Sequence, residues 1–143
     1  MCDAGCSAIL KLHKKFNWHY EEERKIISAI IKKTHGFVNC VGLIDGTFPL
    51  AFAPTLNVKD YLTRKSNYAI KGLFICDAAA KITWIEIGWP SSVHDNQVWS
   101  NSDVYSSKNK YFDNKEYLLS DLAFSVLSVK VSAFKWGHNF NLS

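Results

Sequence analysis

No stretch of the 143 residues approaches the length of an apolar run that would span a bilayer, and the first residues lack the apolar core of a signal peptide. A soluble intracellular protein with no membrane partner is expected. The four cysteines, Cys2, Cys6, Cys40 and Cys76, do not form paired Cys-x-x-Cys motifs, and nothing in their spacing suggests a small secreted disulfide framework. Reduced thiols are the expectation. There is no glycine-rich phosphate loop and no nucleophile elbow, and a Ser/His/Asp hydrolase can be assembled only by picking residues freely. Internal repeats, Gly/Ser linkers and low-complexity tracts are also missing.

What remains is the material of one domain. Hydrophobic residues make up 48% of the chain and aromatics 14%, enough for a packed core. Lys and Arg number 17 against 13 Asp and Glu, and the net charge of +4 permits a polyanionic partner without demanding one.

From Tyr20 to Thr34 the sequence reads as a helix, with Ile26, Ile27, Ile30 and Ile31 on one face. Glu21, Glu22 and Glu23 open it as a solvated first turn, Lys32 and Lys33 close it, and Gly36 stops it. After Gly36 the texture turns apolar and β-branched. Strands are predicted over 38–43, ended by Asp45-Gly46-Thr47, over 68–76 and over 82–87, with 77–81 as a hairpin turn. Pro90 breaks the chain, and Ser91-Ser92 can cap a helix through Asp95, Val98 and Trp99. A last short strand covers 117–120 and leads to Asp121. Trp84, Trp89 and Trp99 are expected in the core. Antiparallel strands followed by a helical crossover into a further strand fit an α/β mixed sheet with packed helices.

Asp45 and Asp121 stand at carboxyl ends of predicted strands, where open α/β sheets place their sites, and Asp95 stands in the first turn of the helix after Pro90. Three converging aspartates suit Mg2+ or Mn2+, hard ions that prefer oxygen ligands and support phosphodiester cleavage. Each also has a plainer reading: a turn residue at Asp45, a helix-dipole partner at Asp95, a cap at Asp121. Asp60, Asp77, Asp103 and Asp113 read as loop acids without a role. His94 can tune the site or cap and pack.

Four stretches in unbroken order over roughly 36–135 carry a family resemblance. They are Gly36-Phe37-Val38-Asn39-Cys40-Val41-Gly42-Leu43-Ile44-Asp45-Gly46-Thr47, Thr63-Arg64-Lys65-Ser66-Asn67-Tyr68, Gly88-Trp89-Pro90-Ser91-Ser92-Val93-His94-Asp95 and Glu116-Tyr117-Leu118-Leu119-Ser120-Asp121-Leu122-Ala123-Phe124. Together they resemble the PIF/Harbinger group of DDE transposases and the nuclease derived from it. The resemblance implies an RNase H-like fold. It also implies Asp45, Asp95 and Asp121 as metal-binding and catalytic positions for Mg2+ or Mn2+, and DNA as the partner. In that context Arg64, Lys65 and Lys71, flanked by Tyr61 and Tyr68, are candidates for phosphate contacts. Residues 1–35 form an N-terminal helical segment and 36–143 the nuclease-like domain.

The sequence departs from the pattern as well. Phe48 stands where the family has His, Ser91 and Ser120 where it has Gly, and Ser125 where it has Pro. None of the 22 residues after Asp121 is Asp or Glu, so the family's final Glu has no counterpart and the domain is expected to be incomplete at its C-terminus. There is no room for the family's helix-turn-helix, which implies a protein partner supplying DNA binding. Weakened metal binding and still weaker catalysis are expected. The two functional readings are a metal-dependent DNA endonuclease or transposase domain, and a non-catalytic transposase-derived remnant that binds DNA or protein. Localisation is expected in the nucleus, with a cytoplasmic pool. Oligomeric state is not specified by the sequence.

Overall fold

The computed structural model describes residues 16–49, 55–113, 115–120 and 132–133. Helix α1 (Glu21–His35) begins where Glu23 folds back to accept the Tyr20 N–H at 3.0 Å, which satisfies one of the unpaired donors at a helix start. It ends on Gly36 at φ 81°, a left-handed cap whose N–H donates to the Lys32 carbonyl. The sequence reading puts four isoleucines on one face. The structure buries only Ile27 and Ile31, packed against Cys40 with Phe37, Tyr117 and Leu119 around them, and leaves Ile26 and Ile30 exposed. Neighbouring helix positions diverge by about 100°, so a narrow contact stripe takes one of each pair.

Arg24, buried on the same helix, fixes α1 to the turn before the fourth strand. Its Nε donates to Glu116 at 2.8 Å and its Nη1 to the His19 carbonyl at 3.0 Å. His19 in turn reaches Glu23 at 3.2 Å and Asp77 at 3.1 Å.

Strands β1 (Cys40–Thr47), β2 (Ile70–Cys76), β3 (Ile82–Pro90), β4 (Tyr117–Ser120) and β5 (Ser132–Ala133) form one sheet in the order β3-β2-β1-β4-β5. The pairings β1–β2 and β2–β3 are antiparallel, and β1–β4 and β4–β5 are parallel. Between β3 and β4 the chain crosses through α2 (Asp95–Ser100), α3 (Asp103–Ser106) and α4 (Lys108–Tyr111). Val98, Trp99, Val104 and Phe112 from this crossover pack on Val41, Ile44, Leu73, Ile75, Trp84 and Leu118 as the main core. Tyr117 and Leu119, alternating with Leu118, face α1 instead. The result is a mixed sheet with helices on both faces, the α/β, RNase H-like arrangement.

Several local expectations shift. Asp45 lies inside β1, not beyond it, and β3 continues through Pro90, which pairs with Ile70. Proline is tolerated there because β3 is an edge strand and the missing N–H breaks no ladder. His94, not Ser91 or Ser92, is the residue before α2, and its ring accepts the Asn96 N–H at 3.4 Å. Trp84 and Trp99 are buried, with ring centroids 6.3 Å apart in edge-to-face contact, and Trp89 is partly buried against the core. Asp103 and Asp77, expected to be idle loop acids, both have structural partners. Asp103 accepts from Trp84 Nε1 at 3.1 Å and from the Tyr111 hydroxyl at 2.6 Å. Asp77 accepts the Ala79 and Lys81 N–H groups that form the β2–β3 turn.

Two predictions follow from this packing. Ile31→Ala removes a side chain that is 3% exposed and should cost about 2–5 kcal/mol, read by chemical denaturation. Burial pushes the Asp77 carboxyl up, but the Lys81 and Ala79 N–H groups and His19 outweigh it and leave the carboxyl below its ordinary value. A carboxyl depressed in the folded state stabilises above its unfolded pKa, and that contribution is lost as pH falls through the folded value. Unfolding midpoints should therefore drop in acid, and Asp77→Asn should flatten that acid limb; an unchanged limb would refute the assignment.

Candidate functional site

β1 is the central strand, flanked by β2 and β4. Along it side chains alternate between faces. Ile44 pairs with Ile75 and Gly46 with Leu73, and Ile44, Ile75 and Leu73 belong to the main core. Leu43 pairs with Cys76 and Asp45 with Phe74, so these four share the opposite face. They line an open cavity of about 590 Å³ together with Phe37, Ile44, Leu119 and Ser120. Asp45 is exposed to this cavity. Its Oδ1 accepts the Gly46 N–H at 2.8 Å, and among the described residues it has no ion-pair partner.

The wall around Asp45 is apolar apart from Ser120 and the Cys76 thiol. Burial pushes that thiol up, with the charges of Asp77 and Asp45 adding to the effect, so Cys76 stays protonated and is no nucleophile at neutral pH.

Asp95 takes a different position. As the first residue of α2 it approaches β1 from the main-core side, and a Cβ built on Gly46 would lie 2.9 Å from Asp95 Oδ2. A side chain at position 46 would have to push the Asp95 carboxylate aside. By alternation, Asp45 on the same strand leaves from the other face. Asp95 Oδ1 stands 2.6 Å from Lys71 Nζ, an ion pair that lacks the angle of a good hydrogen bond. Lys71 also donates to the Val93 carbonyl, and its ammonium lies 5.0 Å from the centre of the Phe48 ring.

The six residues singled out in the sequence thus separate. Asp45 opens onto the cavity. Asp95 and Lys71 are joined to each other, and Lys71 is buried at 5% exposure, withdrawn from the surface where a phosphate contact is expected. Arg64 and Lys65 are exposed in the turn before β2, which Thr63 and Asn67 close by a 2.8 Å backbone bond. Asp121 follows Ser120 directly in sequence and lies outside the described residues. No group of three or more His, Cys, Asp or Glu able to hold a metal ion occurs among the described residues.

The pairing of Lys71 was missed from sequence, yet a signal was present. Lys71, Leu73 and Ile75 share one parity in an otherwise apolar strand, and a lysine on the core side must find a carboxylate. The apolar partners of Asp45, Phe37 and Phe74, carried no such signal.

The comparisons with known proteins agree with this architecture. The family described as DDE superfamily endonuclease matches residues 44–141. The chain is 23% identical over 109 residues to "Putative nuclease HARBI1" of Bos taurus, covering 74% of this chain and 31% of the relative. The corresponding protein of Mus musculus is 26% identical over 113 residues, covering 77% and 32%, and that of Homo sapiens 26% over 89 residues, covering 62% and 26%. The chain therefore spans about a third of the length of the curated relatives it matches. No solved structure gives a significant match. With the family match running from inside β1 through most of the chain, and a mixed sheet of matching kind beneath it, the chain belongs to the DDE superfamily endonucleases.

Proposed function

We propose that this chain carries the metal-binding part of a divalent-metal-dependent DNA endonuclease of transposase type, with Asp45 and Asp121 as the carboxylates that hold the ion. The observation that carries this reading is the parallel register of β1 and β4. Leu43 pairs with Leu119, so β1, which carries Asp45, lies beside β4, the strand that Asp121 follows in sequence. Residues two apart on a strand share a face, and Leu43, Asp45 and Leu119 all line the cavity, so the strand that precedes Asp121 in sequence borders the cavity that Asp45 faces.

The donor chemistry fits Mg2+ or Mn2+. Asp45 offers hard oxygen, is exposed, and carries a charge that no described cation neutralises. When bound, such an ion supplies activation of a water and stabilisation of the leaving oxygen in phosphodiester cleavage. The Gly46 N–H holds one Asp45 oxygen in place, and the side chain lines the cavity. Arg64 and Lys65, exposed before β2, fit contacts to the phosphate backbone, whereas the Lys71 charge is already engaged by Asp95. The nuclease name of the relatives points the same way. The proposal includes action in the nucleus and a protein partner that supplies target choice.

Two measurements test it. Purified protein should nick supercoiled DNA with Mn2+, and Asp45→Ala should abolish nicking; activity that survives the substitution rejects Asp45, and DNA binding without cleavage by the parent protein favours the non-catalytic reading. Replacing Arg64 and Lys65 together by Ala should lower the slope of log affinity against log salt by about 2, one phosphate contact for each. An unchanged slope would remove both from the interface.

A further inference from the structure

We infer that Asp95 and Lys71 form a closed internal charge pair that braces β1 beneath Asp45, and that Asp95 is a positioning residue and not a metal ligand. Only the metal arm of the test rests on the proposed role of Asp45.

Lys71 supplies the first argument. Its ammonium has three donors and is 5% exposed. It faces the Asp95 carboxylate at 2.6 Å, donates to the Val93 carbonyl, and is covered by the Phe48 ring at 5.0 Å. These three partners belong to β1's exit, the loop before α2, and α2 itself, so one buried cation ties the three segments to β2. A metal ion that recruited Asp95 would strand this ammonium without a countercharge.

The faces of the sheet supply the second. Asp95 meets the main-core side of Gly46, while Asp45 leaves from the cavity side. The two carboxylates are separated by the strand itself. What joins them is Gly46. Asp95 Oδ2 lies 2.9 Å from where a Cβ at position 46 would sit on one face, and the Gly46 N–H donates to Asp45 Oδ1 at 2.8 Å. Asp95 occupies the space a side chain at position 46 would take, and its place there positions the peptide whose N–H meets Asp45. A side chain at position 46 would displace the Asp95 carboxylate from this place.

Phe48 completes the arrangement. It is 49% exposed and sits at the exit of β1. Its ring lies 5.0 Å from the Lys71 ammonium and adds a cation–π contact on the Lys71 side of the pair.

The test uses the whole chain and NMR. The Lys71 side-chain 15N resonance should be visible in the parent protein and lost in Asp95→Asn. During a Mg2+ titration it should stay in place while the Asp45 carboxyl 13C resonance moves. Both resonances moving in step would overturn the inference, because Asp95 would then be changing partners. If neither moves, the metal reading of Asp45 fails, and the pair is decided by a double-mutant cycle on unfolding. Asp95→Asn and Lys71→Met should each lower stability, with the double variant losing far less than the two together; additive losses would overturn the pair. The bracing role has its own readout. The Gly46 amide resonance should shift in Asp95→Asn and remain in place in Ile31→Ala, which is destabilising but remote, and should be preserved in Lys71→Arg. A Gly46 amide unmoved by Asp95→Asn would reduce Asp95 to a structural residue and refute the positioning claim.

Discussion

Adjacent side chains on β1 must leave on opposite faces of the sheet, and the arrangement of the site follows from that constraint. Asp45 and Gly46 are neighbours in sequence, yet one opens on the cavity and the other on the core. The core face cannot accept a second carboxylate without a countercharge, and Lys71 provides it from the same face of β2. On the cavity face Asp45 is exposed and has no ion-pair partner among the described residues. A central strand with one antiparallel and one parallel neighbour therefore separates a closed charge from an open one within two residues.

Magnitudes show what the closed pair is for. Opposite charges 2.6 Å apart attract by about 6 kcal/mol at an effective dielectric near about 20. Taking each ion out of water costs several kcal/mol, so the sum is close to balanced. The pair is thus a weak source of net stability. Its asymmetry matters more. Once both charges are inside, losing either partner strands the other, which penalises every arrangement except the one that keeps them together. That is a device for fixing geometry. The Arg24–Glu116 contact has the same character on the other face, where it holds α1 to the turn leading into β4.

Much of the fold was legible in the sequence because its signals are local. The acidic first turn, the basic last turn and Gly36 mark α1 to within one residue at each end. The apolar runs mark β1, β2 and β4, and the element order already implied a mixed sheet. What escaped depended on tertiary context. Pro90 looks like a break until β3 is known to be an edge strand. Ser91 and Ser92 look like caps, but the Ser91 hydroxyl and the Ser92 N–H both turn to the Asp60 carbonyl, leaving His94 to cap α2. The expectation of one isoleucine face on α1 failed because the width of a buried stripe depends on what the helix packs against. At the site, Asp45 was readable as a strand acid, whereas the withdrawal of Lys71 into a pair with Asp95 required the register of β2 against β1.

The open carboxylate also bears on how a nucleic acid could approach. A phosphate backbone is repelled by Asp45 and attracted by the net charge of +4 and by Arg64 and Lys65 at the exposed turn. These forces do not act over the same range. The net attraction is felt across roughly a Debye length of about 8–10 Å, while the repulsion from one carboxylate dominates only at contact. A polyanion is thus drawn to the surface but held off the position above Asp45. On the proposed reading, a divalent cation resolves this conflict, since it is attracted to the carboxylate and to the phosphate alike. Had Asp45 been neutralised internally, as Asp95 is by Lys71, no such requirement for a cation would exist. On that reading, leaving one aspartate open while closing the other favours phosphate presented together with a metal ion.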